Sequence, residues 1–217
     1  MRISHKYKFI WVSKPKTGST SYRELLDPYC EVKSTSNGEF YHHSNMKMIK
    51  CLFEKHGWNF DEYKKIVPVR NPYKLLVSLY TYSKMDVYGV KWWEAESKKY
   101  DPNNLMGFAL FMTKAENIAW FNNMHKLESY ILDMNGKCLA DFIFDPSSDE
   151  SQFKDYLFKE CGLDLKGEEV PWANTTAKSI ELLNEVKAYF NNSQISGWVD
   201  EMFAYEISRF NYKNPFV

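Results

Sequence analysis

Phe9-Ile-Trp-Val12, followed by Ser13 and then by Lys14-Pro-Lys-Thr-Gly-Ser-Thr-Ser21, is the stretch of sequence that decides the fold. The four apolar residues predict a buried strand, and the small and hydroxyl-bearing residues after them predict a loop that leads into a helix. A strand–loop–helix junction of this kind presents backbone N–H groups and a helix N-terminus to an anion. Lys14 and Lys16 add positive charge to the same loop. The stretch therefore predicts a phosphate-binding loop.

A second junction of the same kind lies further along the chain. Lys65-Ile-Val-Pro-Val69 predicts a short buried strand, and Asn71-Pro72 supplies an N-cap and a proline at the first helical position. Arg70, at the end of the strand, can form a paired contact with a phosphate because a planar guanidinium matches phosphate oxygens. Ser78 lies two turns into the helix, on the same side as Asn71, and can add a hydroxyl. The alternative is that Arg70 forms a salt bridge and that the loop lysines are solvated.

Taken together, the two motifs resemble those of the sulfotransferases that use 3′-phosphoadenosine 5′-phosphosulfate (PAPS). The run from Lys14 to Ser21 is similar to that family's 5′-phosphosulfate loop, and Arg70 with Ser78 matches its 3′-phosphate motif in residue types and spacing. The loop is not a Walker A sequence, which requires a lysine after its second glycine. Three later segments are similar to landmarks of the carbohydrate-type branch of the family: residues 136–143, 170–176 and 203–212.

The resemblance implies a role for each matching residue. Lys16 would be the catalytic cation, placed at the bridging oxygen of the leaving phosphate. Thr17 to Thr20 would supply backbone and hydroxyl donors to the 5′-phosphate. The residues that the resemblance assigns to PAPS binding are Lys14, Lys16, Thr17, Gly18, Ser19, Thr20, Ser21, Arg70 and Ser78.

Transfer to an acceptor hydroxyl needs a general base within hydrogen-bond reach. His5, His56 and His125 are predicted to be structural or exposed. His42 and His43 lie between the two motifs, just before a predicted helix. The resemblance favours His43 as the catalytic base, because the family often has a base histidine in this interval. His42 and a carboxylate remain alternatives, as does a purely structural role for both histidines.

Chain length and element order predict the architecture. At 217 residues, the chain is of a size for one domain, so residues 1–217 are predicted to form a single sulfotransferase domain. Alternating strands and helices predict an α/β fold with a mainly parallel central sheet, flanked by helices and carrying a P-loop-like phosphosulfate-binding loop. Both motifs then lie at the carboxyl ends of strands, where such sheets bind ligands.

The individual elements follow from hydrophobic periodicity and from turn residues. Strands are predicted at residues 7–13, 65–69 and 138–144, and a helix that Ser44 caps is predicted to end at Gly57. The other helices are predicted at residues 19–26, 104–123, 149–161, 176–190 and 194–210, besides the one that follows Asn71.

Charge and cysteine content narrow the function. A net charge of 0 gives no general field for nucleic acid or for a highly sulfated polysaccharide, so we expect a saccharide or small-molecule acceptor and no nucleic acid. Four separated cysteines predict no zinc site and fit a reducing cytoplasm. No window approaches the ~20 apolar residues of a membrane span, so we expect a cytoplasmic protein without membrane contact. Sulfuryl transfer needs no metal to neutralise a triphosphate, and none is expected.

Two other functions stay open at this point. A P-loop-like small-molecule kinase or other phosphotransferase would need Mg²⁺ and an acidic ligand at a neighbouring strand end, whereas the strand at residues 66–69 ends in Arg70. A non-catalytic nucleotide-binding module could keep the same loop without turnover.

Overall fold

The computed structural model describes residues 1–83, 122–171 and 180–217. The chain divides into two compact units. The first, here called the sheet unit, consists of residues 1–70 and 127–174, and the second, the helical unit, consists of residues 71–126 and 175–217. Within the described residues, every strand lies in the sheet unit.

A mixed sheet of five strands forms the centre of the sheet unit, in the order β3-β1-β2-β4-β5. The strands are β1 (Arg2–Ser4), β2 (Phe9–Trp11), β3 (Val32–Lys33), β4 (Lys64–Pro68) and β5 (Phe142–Phe144). β1 pairs antiparallel with β2 and with β3, whereas β2 with β4 and β4 with β5 form parallel pairs. The α/β class is confirmed, but the prediction of a mainly parallel sheet is wrong. Residues 5–8 are too short a connection for a parallel crossover, so β1 and β2 can only form a hairpin.

The helices fall in both units. Those of the sheet unit are α1 (Ser19–Leu26), α2 (Met46–Lys55), α4 (Leu127–Ile131) and α5 (Glu150–Cys161). Those of the helical unit are α3 (Pro72–Ser83), α6 (Ile180–Phe190), α7 (Ser193–Met202) and α8 (Ala204–Phe210). Short 3-10 turns span Asp27–Tyr29 and Phe60–Glu62. None of the helices in the described ranges is long and apolar enough to cross a membrane.

Several predicted helix ends are confirmed and others are wrong. α1 has the predicted bounds, and Gly162 ends α5 in a left-handed conformation with φ 69°. α2 is capped by Asn45, whose side chain accepts a hydrogen bond from the Met48 N–H, and not by Ser44. The helix predicted over 194–210 is two helices that meet at Phe203. Residues 104–121 and 176–179 of the predicted helices lie outside the described residues.

Aromatic packing holds β2 against the flanking helices of the sheet unit. Trp11 is fully buried and stacks on Tyr22 of α1, with ring centroids 5.2 Å apart. Phe153 of α5 meets the same indole edge-on at 5.6 Å. Because a buried aromatic side chain removes a large apolar area from water, these contacts fix the strand and the helix on either side of the predicted phosphate loop.

The helical unit begins as the sequence predicts. The Asn71 side chain accepts a hydrogen bond from the Tyr73 N–H at 3.0 Å, so that α3 has the expected N-cap. The predicted apolar stripe of this helix is buried. It belongs to a cluster that also contains residues of α6 and α7: Leu75, Leu76, Leu79, Val186, Phe190, Val199 and Met202.

Candidate functional site

The loop after β2 contains two residues in the left-handed conformation and leads into the N-terminus of α1. Lys16 and Gly18 have positive φ angles of 60° and 76°, and the Thr17 hydroxyl donates to the Lys14 carbonyl at 2.8 Å. Gly18 is the N-cap of α1, so it has no side chain that could accept from the N–H groups of the first turn. Those N–H groups and the positive end of the helix dipole are therefore available to an anion in front of the loop.

The two lysines of the loop differ in exposure. The Lys14 side chain is 1% exposed, whereas Lys16 is half-buried. Burial lowers the pKa of Lys16 to about 8, and the charge of Arg70 acts in the same direction. An anion at the loop would reverse this effect, since an opposite charge favours the protonated amine. Lys16 is thus the more accessible of the two loop lysines, and an anion bound at the loop would stabilise its charge.

Arg70 connects the ends of two neighbouring strands. It follows β4, which is parallel to β2, and its Nη1 donates to the Lys16 carbonyl at 2.8 Å. Burial lowers the pKa of Arg70, and the charge of Asp145 opposes this shift. The structure therefore brings together the predicted phosphosulfate loop and the predicted 3′-phosphate arginine. The contact also holds the left-handed backbone of Lys16 in place.

The loop after β5 completes this edge of the sheet, and the sequence did not lead us to it. Asp145 is 5% exposed, and its carboxylate accepts from the N–H and the hydroxyl of Ser147 at 2.9 and 2.8 Å. Pro146 Cβ lies 3.9 Å from the position that a Cβ on Gly18 would take. The signal was present, because Asp145-Pro-Ser-Ser follows a strand in the same way as Arg70 does. Without the order of the strands, however, the residues that lie next to Asp145 in the fold could not be predicted.

His43 is held in the tautomer that a general base requires. Its Nδ1 lies 2.7 Å from the Ser13 carbonyl oxygen, which can only accept, so Nδ1 carries the proton and Nε2 carries the lone pair. Burial lowers the pKa of His43, and the charges of Arg23 and Lys16 add to this effect, although the Ser13 bond opposes it. The imidazole is therefore neutral at pH 7. Tyr130 of α4 donates to the His43 carbonyl at 3.2 Å, which fixes the backbone of this residue.

His42 has a different environment. Its Nδ1 lies 2.9 Å from the Ser34 hydroxyl. Burial and then the charge of Arg23 lower the pKa of His42 to about 4. A group that binds a proton so weakly is a poor acceptor near neutral pH. Since His43 also adjoins the first residue of the loop through Ser13, the geometry favours His43 over His42 as the base.

The remaining predicted residues divide between the units. Ser19, Thr20 and Ser21 form the first turn of α1, and Ser19 is largely buried. Ser78 lies on α3 in the helical unit, where it is half-buried and its carbonyl accepts from the Thr81 hydroxyl at 3.1 Å. Its predicted role in 3′-phosphate binding stays a prediction.

Arg23 is a further residue that sequence reasoning missed. It lies on α1, and its Nη2 donates to the Thr20 hydroxyl at 3.1 Å. Helical periodicity could have found it, because residues three apart share a face of a helix. Arg23 therefore adds a cation on the face of α1 that carries Thr20.

No family model matches the chain, and neither a curated protein nor a solved structure does. In the ranges that the structure describes, no group of three or more His, Cys, Asp or Glu side chains could hold a metal ion.

Proposed function

We propose that the chain is a sulfotransferase, which transfers a sulfuryl group from PAPS to a hydroxyl of a saccharide or small-molecule acceptor. The observation that carries this proposal is the contact between Arg70 and the loop at Lys16, 2.8 Å long. PAPS has a 5′-phosphosulfate and a 3′-phosphate. A loop with a helix N-terminus suits the first group, and an arginine at the adjacent strand end suits the second.

The proposed reaction uses two groups of the sheet unit. The acceptor oxygen forms a bond to sulfur while the bond from sulfur to the 5′-phosphate oxygen breaks, and 3′,5′-bisphosphoadenosine leaves. The acceptor proton goes to Nε2 of His43, which the Ser13 bond leaves unprotonated. The Lys16 cation stabilises the negative charge that develops on the bridging oxygen, and it does so more in the transition state than in the ground state.

The position of the acidic residue supports sulfuryl transfer over phosphoryl transfer from ATP. A kinase needs an acidic Mg²⁺ ligand close to its phosphate loop, and the strand next to β2 on the parallel side ends in Arg70. Asp145 follows β5, one strand further away, and its carboxylate already accepts two hydrogen bonds from Ser147.

A comparison of ligands tests the proposal directly. Thermal unfolding is measured without metal in the presence of PAPS, 3′,5′-bisphosphoadenosine, ATP or AMP, and again with ATP and Mg²⁺. A ligand at ~100 times its dissociation constant stabilises a fold by about 2.7 kcal/mol. We expect PAPS and the bisphosphate to stabilise the protein far more than AMP does.

Turnover then separates the three candidate functions. Mass spectrometry of acceptor mixtures incubated with PAPS should detect a sulfated product. A phosphorylated product formed from ATP and Mg²⁺ would instead identify a kinase. Tight binding of the bisphosphate without turnover on any acceptor would identify a non-catalytic module.

A further inference from the structure

Tyr41 is an aromatic residue that the proposed reaction does not use and that the fold leaves at the surface. Its side chain is 39% exposed, and among the described residues it is the one exposed tyrosine. Its ring adjoins the imidazole of His43, with the ring centroids 5.8 Å apart and the ring planes at 83°. The two rings therefore form a corner at the surface of the sheet unit, and one of its two walls is the proposed base.

The imidazole in this corner has its basic nitrogen open to a ligand. Nδ1 of His43 is held by the Ser13 carbonyl oxygen at 2.7 Å. Among the described residues, Nε2 has no hydrogen-bond partner, yet it is not buried in the way that Trp11 Nε1 is. A hydroxyl that approaches from solvent can therefore reach Nε2.

Backbone contacts on both sides hold Tyr41 in place. Its carbonyl accepts hydrogen bonds from the N–H and the hydroxyl of Ser44, at 3.3 and 3.1 Å. The preceding carbonyl, that of Phe40, accepts from the Thr35 N–H at 3.1 Å, and the Phe40 ring stacks on that of Trp58. Because the segment is fixed before any ligand arrives, binding to the Tyr41 ring costs little conformational entropy.

The chain beside Tyr41 is polar. Thr35 pairs with Tyr41 through an isolated bridge, and Thr35, Ser36 and Asn37 are all exposed. A flat apolar ligand is normally enclosed by several apolar walls, whereas one ring next to hydroxyl and amide groups suits a ligand with an apolar face and a polar rim. A pyranose is such a ligand, because C–H bonds cover the faces of its ring and hydroxyl groups surround the edge.

We infer that Tyr41 binds the acceptor by stacking on the apolar face of a pyranose ring, and that it thereby places a hydroxyl on the edge of this ring at Nε2 of His43. This inference rests on the proposed sulfotransferase function and narrows its acceptor to a ring sugar. Neighbouring rings pack with centroids about 4.5 to 7 Å apart, so a sugar on Tyr41 is a direct neighbour of the imidazole. The hydroxyl that reacts is then one attached to the sugar itself rather than one at the end of a long substituent.

Ring sugars and their open-chain alditols test the inference. Methyl β-D-glucopyranoside is compared with D-glucitol and methyl β-D-galactopyranoside with galactitol, and phenol is added as a flat ring without a polar rim. Steady-state kinetics at saturating PAPS give kcat and KM for each acceptor. We expect kcat/KM for at least one ring sugar to exceed that for its alditol by about tenfold or more. Tyr41→Ala should abolish this preference by raising KM, and Tyr41→Phe should keep it, because it keeps the ring.

Phe158 provides the matched control. It is an aromatic residue of the same unit, 46% exposed, and it is the ninth residue of α5. It therefore lies about 12 Å along the helix axis from the residue that follows the β5 loop. Phe158→Ala should leave the preference for ring sugars unchanged.

The outcomes separate this inference from the proposed function. Equal kcat/KM for ring sugars and alditols, or a preference that survives Tyr41→Ala, would overturn it. A preference for phenol over every sugar would overturn the assignment to a pyranose. Weaker binding of 3′,5′-bisphosphoadenosine by Tyr41→Ala would overturn it too, because it would assign Tyr41 to the donor. A sulfated product in any of these cases would leave the sulfotransferase function standing, whereas no sulfated product from any acceptor mixture would remove both.

Discussion

The pKa of Lys16 predicts how kcat/KM for PAPS, the proposed donor, depends on pH. In the free protein, burial lowers that pKa to about 8. At pH 7 about nine tenths of the molecules then carry the charge, and at pH 9 about one tenth do. Because kcat/KM reports the free enzyme, we expect kcat/KM for PAPS to fall about tenfold between pH 7 and pH 9.

The alkaline limb of kcat should lie at higher pH than that of kcat/KM. On the proposed function, bound phosphosulfate would place negative charge beside Lys16 and would therefore raise the pKa of its amine. Burial raises the pKa of Cys30 to about 12 and that of Cys161 to about 11, so these two thiols titrate above this range. A continuous assay of bisphosphate release from pH 6 to pH 10 measures both limbs.

Two substitutions identify the titrating group. Lys16→Arg keeps a cation with a pKa far above this range, so its kcat/KM should stay flat from pH 7 to pH 9 whatever its absolute rate. Lys16→Met should be slower by about 100-fold or more. Lys33→Arg, at an exposed position on β3, is the control and should keep the wild-type limb. A limb that persists in Lys16→Arg, or a flat wild-type profile, would refute the reasoning.

The same shift has a consequence for stability. The pKa of Lys16 is about 8 in the folded protein, against 10.5 as its ordinary value, so the unfolded state binds more protons between these pH values. Stability therefore rises with pH across this window. Lys16→Met should raise the urea midpoint of the ligand-free protein at pH 7, and the gain should shrink toward pH 10. A midpoint that falls at pH 7 would contradict the depressed pKa.

Substitutions at Arg70, His43 and Gly18 give three further predictions. Arg70→Ala should weaken the binding of 3′,5′-bisphosphoadenosine by about 1.5 to 3 kcal/mol. It should weaken the binding of AMP by less, because AMP loses only the effect of the Lys16 contact. Equal losses of binding free energy in calorimetry would show that Arg70 does not recognise the 3′-phosphate. His43→Ala should lower kcat about 100-fold and should retain its affinity for the bisphosphate. In the wild-type protein, kcat/KM should fall only below pH 6.5, since burial lowers the pKa of His43. If His42→Ala is the impaired variant instead, the role of base belongs to His42. Gly18→Ala and Gly162→Ala, at φ 76° and 69°, should each lower the free energy of unfolding in urea by about 1 kcal/mol. Only Gly18→Ala should weaken the binding of the bisphosphate. Equal binding by both variants would contradict the loop assignment.

Local signals predicted the elements beside the loop, because the chemistry that forms them lies in adjacent residues. Small hydroxyl residues start α1, Asp27-Pro28 ends its regular turns, and Asn71-Pro72 starts α3. β1 and β3 carried no such signal, because Arg2–Ser4 and Val32–Lys33 each contain one apolar residue, whereas β2 and β5 consist of apolar runs. The left-handed residue of the β1–β2 hairpin is Lys8, at φ 52°, where a glycine or asparagine would have marked the turn.

The site was predictable in part for the same reason. Each motif lies at the end of a predicted strand, so Lys16 and Arg70 could be placed at the same edge of the sheet. Asp145 and Pro146 reach that edge only because β5 pairs with β4, and such long-range pairing leaves no trace in the local sequence. The tautomer of His43 depends on the Ser13 carbonyl, thirty residues away, and no spacing rule predicts it.

The mixed sheet also predicts the order in which its strands pair during folding. The β1–β2 hairpin pairs residues that are close in sequence, whereas Phe9 pairs with Lys64 and Ile66 with Phe142. Closing a long segment of chain costs more entropy than closing a short one, so pairings between distant residues form slowly. The strand that leads into the loop can therefore form early, while Arg70 arrives only when β4 docks. Refolding from denaturant should restore the hairpin first, and the return of bisphosphate binding should mark the last step of assembly.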